Sequence, residues 1–118
     1  MNELRKIKDE EIELIKFLLI KSNLDPIEFF ISEMVDEYEG GKMGSIGLGK
    51  VGAVYEGDII QAEYTDLDGT DVIISLTKDN ENQILDLDFW KTDFSKLLKY
   101  PSPTELKFKE NYTPFANE

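Results

Sequence analysis

The chain has 118 residues, of which 13 are basic and 25 acidic, so its net charge is −12. This length is typical of one domain with its own core, and a hydrophobic content of 41% indicates a folded protein. The complete absence of Cys and His excludes thiol and imidazole nucleophiles, disulfides and Cys/His zinc sites.

The acidic excess is spread along the whole sequence, and no third of the chain is basic. Nucleic acid and an anionic membrane surface would both be repelled, so we predict no nucleic-acid partner and no membrane partner. A basic protein would be attracted by the same charge. The simpler alternative is that the acidity serves solubility alone, and the oligomeric state stays open.

The cellular compartment is inferred from the chain start and from cysteine usage. Residues 1–5 carry no apolar segment of a secretory signal, and the longest apolar run, residues 17–20, is far shorter than a membrane span. The absence of Cys fits a reducing compartment. We therefore expect a cytoplasmic protein.

Helical spacing comes first along the chain. Over Asp9–Lys21, apolar residues recur every three or four positions, and acidic residues fill the first turn, where the helix dipole favours negative charge. A second, short helix is predicted by Asp25 as its N-cap, Pro26 at its first position and Glu28 three residues after the cap. This second helix is expected to end at residues 30–32.

A period of two replaces the helical spacing further along the chain. Alternation of apolar and polar residues predicts strands at residues 31–38, 58–66, 72–76 and 85–89. Short polar turns join the last three of these runs into an antiparallel meander. The glycine-rich residues 40–57 predict a loosened strand pair or hairpin, and residues 106–109 predict an edge strand.

These elements together predict an α+β fold with two N-terminal helices packed on one face of an antiparallel β-meander of about five strands. The domain is expected to span residues 1–100. Residues 101–118 contain most of the prolines and are expected to form a Pro-containing C-terminal tail.

Two nucleotide-binding patterns occur in the glycine-rich stretch. Residues 44–50 match GxxxxGK, and residues 47–52 match GxGxxG. A P-loop needs Ser or Thr after Lys50, where Val51 stands, and both motifs need a helix directly after the loop, which the following glycines oppose. We therefore predict no nucleotide site. The stretch is either structural or a binding loop for an unspecified ligand.

Asp66, Asp68 and Gly69 resemble part of a calcium loop. Aligning Gly69 with the glycine of an EF-hand places Tyr64 at the first ligand position and Ser75 at the position of the bidentate Glu, so both end ligands are missing. An Asp-Gly hairpin turn explains the same residues without a cation. We predict no metal, no cofactor and no catalytic residue.

Four short motifs stand in order along the chain. They are residues 10–15 (EEIELI, followed by Leu18-Leu19), 40–45 (GGKMGS), 62–69 (AEYTDLDG) and 85–95 (LDLDFWKTDFS). In this order they resemble a family of small, mostly bacterial proteins catalogued only as a domain of unknown function. The resemblance covers about residues 8–98. It implies a shared fold, and it brings no activity and no catalytic residue.

Three functions remain open. The first is a small acidic protein-interaction module, in its sharpest form an immunity-type protein that binds a basic toxin domain. The second is a stand-alone accessory domain without catalysis. The third is a small-molecule enzyme built from carboxylates. Because Cys and His are missing and no carboxylate pair is distinctive among 25 acidic residues, we predict that the protein is not an enzyme.

The predicted partner-binding surface is the exposed side of the meander. Asp86 and Asp88 alternate with core leucines and therefore share the exposed face, which Trp90 continues by the same alternation. Tryptophan is also the residue type most enriched at interface hot spots. The predicted partner-binding residues are Glu63, Asp86, Asp88, Trp90 and Lys91. The alternative is that Phe108 or Phe115 of the tail folds back and covers Trp90.

Overall fold

The computed structural model describes residues 3–38 and 42–108, which form a helix packed on one antiparallel sheet. Its elements are β1 (Glu3–Lys6), α1 (Asp9–Lys21), β2 (Met34–Glu37), β3 (Ile46–Gly47), β4 (Tyr55–Thr65), β5 (Asp71–Asp79) and β6 (Ile84–Lys91), with single 3₁₀ turns at Pro26–Glu28 and Pro103–Glu105. The strand order is β1-β2-β3-β6-β5-β4. The α+β class is confirmed. Over the described part of the chain, no helix has the length and apolar character needed to cross a membrane.

The predicted number of elements is wrong. The described residues contain one α-helix and a sheet of six strands, instead of two helices and about five strands. Asp25 does cap as expected, accepting the N–H of Ile27 at 3.1 Å, but only the 3₁₀ turn Pro26–Glu28 follows. None of its residues is buried, so no apolar face supports a longer helix. The missed strand β1 is polar and gives no alternation signal.

Only β4, β5 and β6 form the predicted meander, since β3 lies between β2 and β6. The hairpin predicted for residues 40–57 is wrong in its described part, which holds the two-residue β3 and an irregular path to β4. Residues 40 and 41 lie outside the described residues. The strand predicted at residues 106–109 reduces to one bridge between Glu63 and Lys107, and Lys109 lies outside the described residues.

The core lies between α1 and the inner face of the sheet. Leu14, Ile15, Leu18 and Leu19 of α1 are buried with the inner-facing residues of the meander, Leu87 among them at 0% exposure. The predicted inner face is confirmed except at one end of β6. There Ile84 is buried and Leu85 is half-buried, because a register shift between Leu76 and Lys78 of β5 displaces the alternation.

Glu11, in the first of the four motifs, joins three parts of the fold. Its fully buried carboxylate pairs with the Arg5 guanidinium of β1 at 2.7 Å and accepts the N–H of Lys8 at 2.8 Å. The hydroxyl of Tyr100, far along the chain, donates to it at 3.0 Å. Burial acts to raise the pKa of Glu11, but Arg5 and these donors outweigh it and hold that pKa below its ordinary value.

Of the predicted tail, residues 101–108 are described and pack on the domain. Pro101 and Leu106 are buried there. Residues 109–118, with Phe115, lie outside the described residues.

Candidate functional site

Four of the five residues predicted to bind a partner share the outer face of the sheet, opposite α1. The strand register places Glu63 and Trp90 in one row across the meander, with Ile73 between them. Asp88 and Asp86 follow in the next rows of the same face. Trp90 is 57% exposed, as the alternation predicts. Phe108 does not cover it, because its ring packs 6.3 Å from Phe17 of α1.

Lys91 is the exception, and its predicted place on the exposed surface is wrong. Its side chain is fully buried. Alternation already turns it inward, because Trp90 directly before it points outward. The buried Lys91 side chain is therefore not part of the exposed outer face.

The buried Lys91 ammonium has three acceptors, which match its three N–H groups. Its Nζ lies 2.9 Å from the Asp66 carboxylate, 2.8 Å from the Asp68 carboxylate and 2.8 Å from the carbonyl of Lys96. Desolvation acts to lower the pKa of Lys91, but the two carboxylates outweigh it and raise that pKa. The residues that resemble a calcium loop thus form the predicted turn, with the Lys91 ammonium as their cation.

Asp66 also fastens the segment that follows β6. Its carboxylate accepts the backbone N–H of Leu98 at 2.9 Å and that of Lys99 at 3.1 Å. Burial acts to raise the pKa of Asp66, but these donors and Lys91 hold it below its ordinary value. The third and fourth motifs therefore form one polar cluster, in which Asp66 and Lys91 are buried and Asp68 is partly exposed.

The motif Met43-Gly44-Ser45 covers an edge of β6 to which no described strand pairs. On β6, β3 pairs only with Asp86 and Leu87, so the second half of β6 extends beyond it. There the Ser45 hydroxyl accepts the N–H of Phe89 at 2.9 Å and donates to its carbonyl at 3.3 Å. The side chains of this motif replace the missing strand, and they leave a hollow beside it.

Gly44 is required by this arrangement. Its φ is +90°, and a Cβ there would lie 2.8 Å from Cδ2 of Leu97 and 3.5 Å from Cδ1 of Phe89. The glycine therefore lets the segment after β6 pack directly on the loop before β3. The backbone N–H of Leu97 also donates to the carbonyl of Lys42 at 2.8 Å.

The hollow beside β6 is a cavity of about 370 Å³, which we call the Trp90 pocket. Its described lining residues are four aromatic residues, one methionine, one serine and one aspartate: Tyr38, Phe89, Trp90, Phe94, Met43, Ser45 and Asp88. Asp88 and Trp90 are thus the two predicted partner-binding residues that line it. Concave sites with mainly apolar walls and a few polar groups are typical of binding sites.

Phe94 is held in the pocket wall by a tight turn. Its N–H donates to the carbonyl of Lys91 at 2.9 Å, and its backbone has φ +64°, a conformation that residues other than glycine rarely adopt. Asp93 closes the turn by accepting the N–H and the hydroxyl of Ser95. The Phe94 ring lies 5.8 Å from the Trp90 ring and is 58% exposed. The turn thus presents two aromatic rings side by side at the surface.

The carboxylates of Asp58, Asp86 and Asp88 lie near one another on the outer face, and the first two accept a hydrogen bond from a tyrosine hydroxyl. The Tyr38 hydroxyl donates to Asp86 at 2.6 Å, and the Tyr55 hydroxyl donates to Asp58 at 2.8 Å. Among the described residues, none donates a hydrogen bond to the Asp88 carboxylate. Burial, together with the charges of Asp86 and Asp58, raises the pKa of Asp88 to about 6.

Five pocket-lining residues were not predicted as binding residues: Tyr38, Met43, Ser45, Phe89 and Phe94. All of these except Tyr38 lie inside the motifs that carried the family resemblance, and that position was a usable signal. Their approach to Trp90 depends on the short β3 and on the turn after β6, which alternation alone does not predict. Within the described chain, no three metal-ligating side chains come together as a metal site.

The described residues define a two-layer α+β domain whose outer sheet face carries an aromatic pocket with one carboxylate. The chain belongs to a family described as a domain of unknown function (DUF6984), whose model matches residues 4–101. The resemblance seen in the four motifs is therefore confirmed. Comparison with curated proteins and with solved structures gives no match.

Proposed function

We propose that this domain is a small acidic protein-interaction module of the cytoplasm that binds a basic protein through the Trp90 pocket. In its sharpest form it is an immunity-type protein that covers a basic toxin domain. The observation that carries the proposal is the exposed pair of rings, Trp90 and Phe94, beside the Asp88 carboxylate. Tryptophan in such a setting is the commonest hot spot of protein interfaces.

The charge of the molecule supports a basic partner. A net charge of −12 attracts a positively charged surface from a distance and accelerates encounter. Close contact then depends on local groups, because salt screens exposed charges beyond about 8 Å at physiological ionic strength. Glu63 and the carboxylates beside Trp90 supply those groups on the outer face.

Binding is favoured over catalysis by the chemistry of the available side chains. The chain contains no His and no Cys, which are the usual proton-transfer and nucleophilic groups near neutral pH. Among the described residues that line the Trp90 pocket, the polar side-chain groups are the Asp88 carboxylate, the Trp90 indole N–H and two hydroxyls, and both hydroxyls already have partners. Such a lining suits recognition.

The experiment is affinity capture from native lysate with a matched pair of variants. Trp90→Ala removes the exposed ring of the pocket, whereas Phe30→Ala removes an aromatic ring that is 73% exposed outside it. We expect the wild type and Phe30→Ala to retain the same basic protein at physiological salt, and Trp90→Ala to lose it. Direct titration with the purified captured protein then gives the affinity of each variant.

Two outcomes contradict the proposal. One is capture of a partner that both aromatic variants retain equally, because the Trp90 pocket then takes no part in binding. The other is the absence of any basic protein that distinguishes wild type from Trp90→Ala. Circular dichroism of both variants shows whether the fold is intact, and we expect it to be intact because both rings are exposed.

A further inference from the structure

Among the described residues that line the Trp90 pocket, Asp88 is the only acidic one. Asp86 and Asp58 have tyrosine donors, whereas no described residue donates to Asp88. Asp88 is only partly exposed and faces two like charges on the same sheet face. A cation at this position would donate the hydrogen bonds that no described residue supplies and would offset the repulsion.

The walls of the pocket favour a flat cation. The rings of Trp90 and Phe94 lie 5.8 Å apart with an interplanar angle of 44°, and the ring of Tyr38 lines the same cavity. Aromatic faces attract cations, and tryptophan does so most strongly. A guanidinium also stacks on aromatic rings and donates two parallel hydrogen bonds to a carboxylate, which an ammonium does not.

We propose that the Trp90 pocket binds one arginine side chain of the basic partner. The guanidinium stacks against Trp90 and Phe94 and donates two parallel hydrogen bonds to the Asp88 carboxylate. This inference rests on the proposed function and identifies the group that the pocket recognises. The rest of the acidic surface then steers the partner, and the pocket selects arginine from among its cationic side chains.

A second hollow on the molecule provides the internal control. It lies near the start of α1, where Asp9, Glu10 and Glu13 stand beside Tyr100. The Tyr100 hydroxyl there already bonds Glu11, and the acidic residues occupy the first turns of a helix, which favours negative charge for structural reasons. Glu13→Gln therefore removes one negative charge from an acidic hollow outside the Trp90 pocket.

The test is a calorimetric titration of the intact chain with short peptides at physiological salt. The peptides are tetra-arginine, tetra-lysine and tetra-citrulline, the last of which keeps the shape of arginine without its charge. We expect tetra-arginine to bind saturably, tetra-lysine to bind at least about fivefold more weakly, and tetra-citrulline to show no binding. Asp88→Asn should weaken tetra-arginine by about tenfold or more, and Glu13→Gln by less than about twofold.

Two variants of Trp90 test whether the aromatic ring itself contributes to binding. Trp90→Ala should weaken tetra-arginine by about tenfold, and Trp90→Phe should restore most of the affinity because it restores an aromatic face. Equal loss in both Trp90 variants would overturn the stacking assignment.

Other results would overturn the proposal in different ways. Equal affinities for tetra-arginine and tetra-lysine would refute the preference for guanidinium. Equal losses in Asp88→Asn and Glu13→Gln would show binding by general charge alone. If a lysate partner is lost in Trp90→Ala but retained fully by Asp88→Asn, the proposed function stands and the arginine assignment fails.

Discussion

Lys91 and Asp66 form an ion pair of 2.9 Å in which neither side chain is exposed. Trp90, the neighbour of Lys91, points to the opposite face and is 57% exposed. The Lys91 side chain therefore links the segment after β6 to the β4–β5 turn. The side chain of the preceding residue, Trp90, lines the Trp90 pocket. The geometry of the Trp90 pocket depends on the polar cluster directly behind it.

Asp66→Ala should destabilise the fold strongly. The change leaves the Lys91 ammonium without its fully buried carboxylate and leaves the N–H groups of Leu98 and Lys99 unpaired. Breaking a buried pair by removing one partner costs about 3–5 kcal/mol. Asp68→Ala should cost clearly less, because the Asp68 side chain is 37% exposed and water can replace it. Urea unfolding measures both, and equal losses would contradict the central role of Asp66.

Gly44→Ala should destabilise the protein more than Gly52→Ala. Both glycines have positive φ, +90° and +85°, so alanine at either position is strained by about 1 kcal/mol. Only at Gly44 does the new methyl group meet another side chain, at 2.8 Å from Leu97, whereas open space surrounds Gly52. Because Cδ2 is the far end of the half-buried Leu97 side chain, that side chain can shift, and we expect only a small additional cost of about 0.5–1.5 kcal/mol at Gly44. Equal midpoints of thermal unfolding would contradict the close approach of Leu97.

Leu87→Ala should cost about 2–5 kcal/mol, because Leu87 is fully buried between α1 and the sheet. Ile73→Ala should cost much less, since Ile73 lies on the outer face and is only half-buried. Denaturant unfolding of the two variants compares the faces of the sheet directly. Similar losses would show that the outer face is as closely packed as the core.

Most of the meander and its inner face could be predicted, because alternation is a local signal that survives wherever β4, β5 and β6 pair in register. The strands β1 and β3 could not, since they have four and two residues and pair only with distant parts of the chain. The prediction that Leu85 faces the core was wrong because of a register shift between β5 and β6. Such a shift depends on how two strands pair and cannot be recognised in the sequence of either strand alone.

The site was predictable in part. The alternation along β6 correctly predicted that Asp86, Asp88 and Trp90 lie on the outer face. The same alternation implies that Lys91, the next residue, points inward. The predicted hairpin turn did not reveal that Asp66 is buried at 3% exposure, because only the folded chain brings Lys91 to it. Phe94 reaches Trp90 through a turn with φ +64°, which no residue pattern in this segment indicates.

Asp88→Asn should stabilise the protein near neutral pH. In the unfolded chain the pKa of Asp88 is about 3.9, and in the folded chain it is raised to about 6, so charged Asp88 opposes folding above that pH. Removing the charge should therefore raise the free energy of unfolding by about 1–2 kcal/mol at about pH 7.5, after allowance for partial exposure. Below about pH 6 the folded wild type takes up the proton, and its disadvantage should shrink by more than half at about pH 4.5.

Urea unfolding of wild type and Asp88→Asn at both pH values tests this expectation. Asp71→Asn, an exposed change at the start of β5, serves as the charge control and should alter stability by less than about 0.5 kcal/mol. Destabilisation by Asp88→Asn at neutral pH would contradict the account of a carboxylate to which no described residue donates. Combined with weaker peptide binding, the expected gain in stability would assign Asp88 to recognition and exclude loss of fold as the cause.

The most direct measurement is the accessibility of Trp90, the only tryptophan of the chain, with and without tetra-arginine. Acrylamide is a suitable quencher because it is neutral and is not repelled by the acidic surface. In the free protein we expect emission at about 350 nm with strong quenching, as for a solvated indole. At a tetra-arginine concentration that half-saturates the wild type, we expect a clear fall in its quenching constant and a much smaller fall in Asp88→Asn, because that variant should bind about tenfold more weakly. Blue-shifted, unquenched emission in the free protein, or equal protection in both proteins, would contradict the arginine-binding role of the Trp90 pocket.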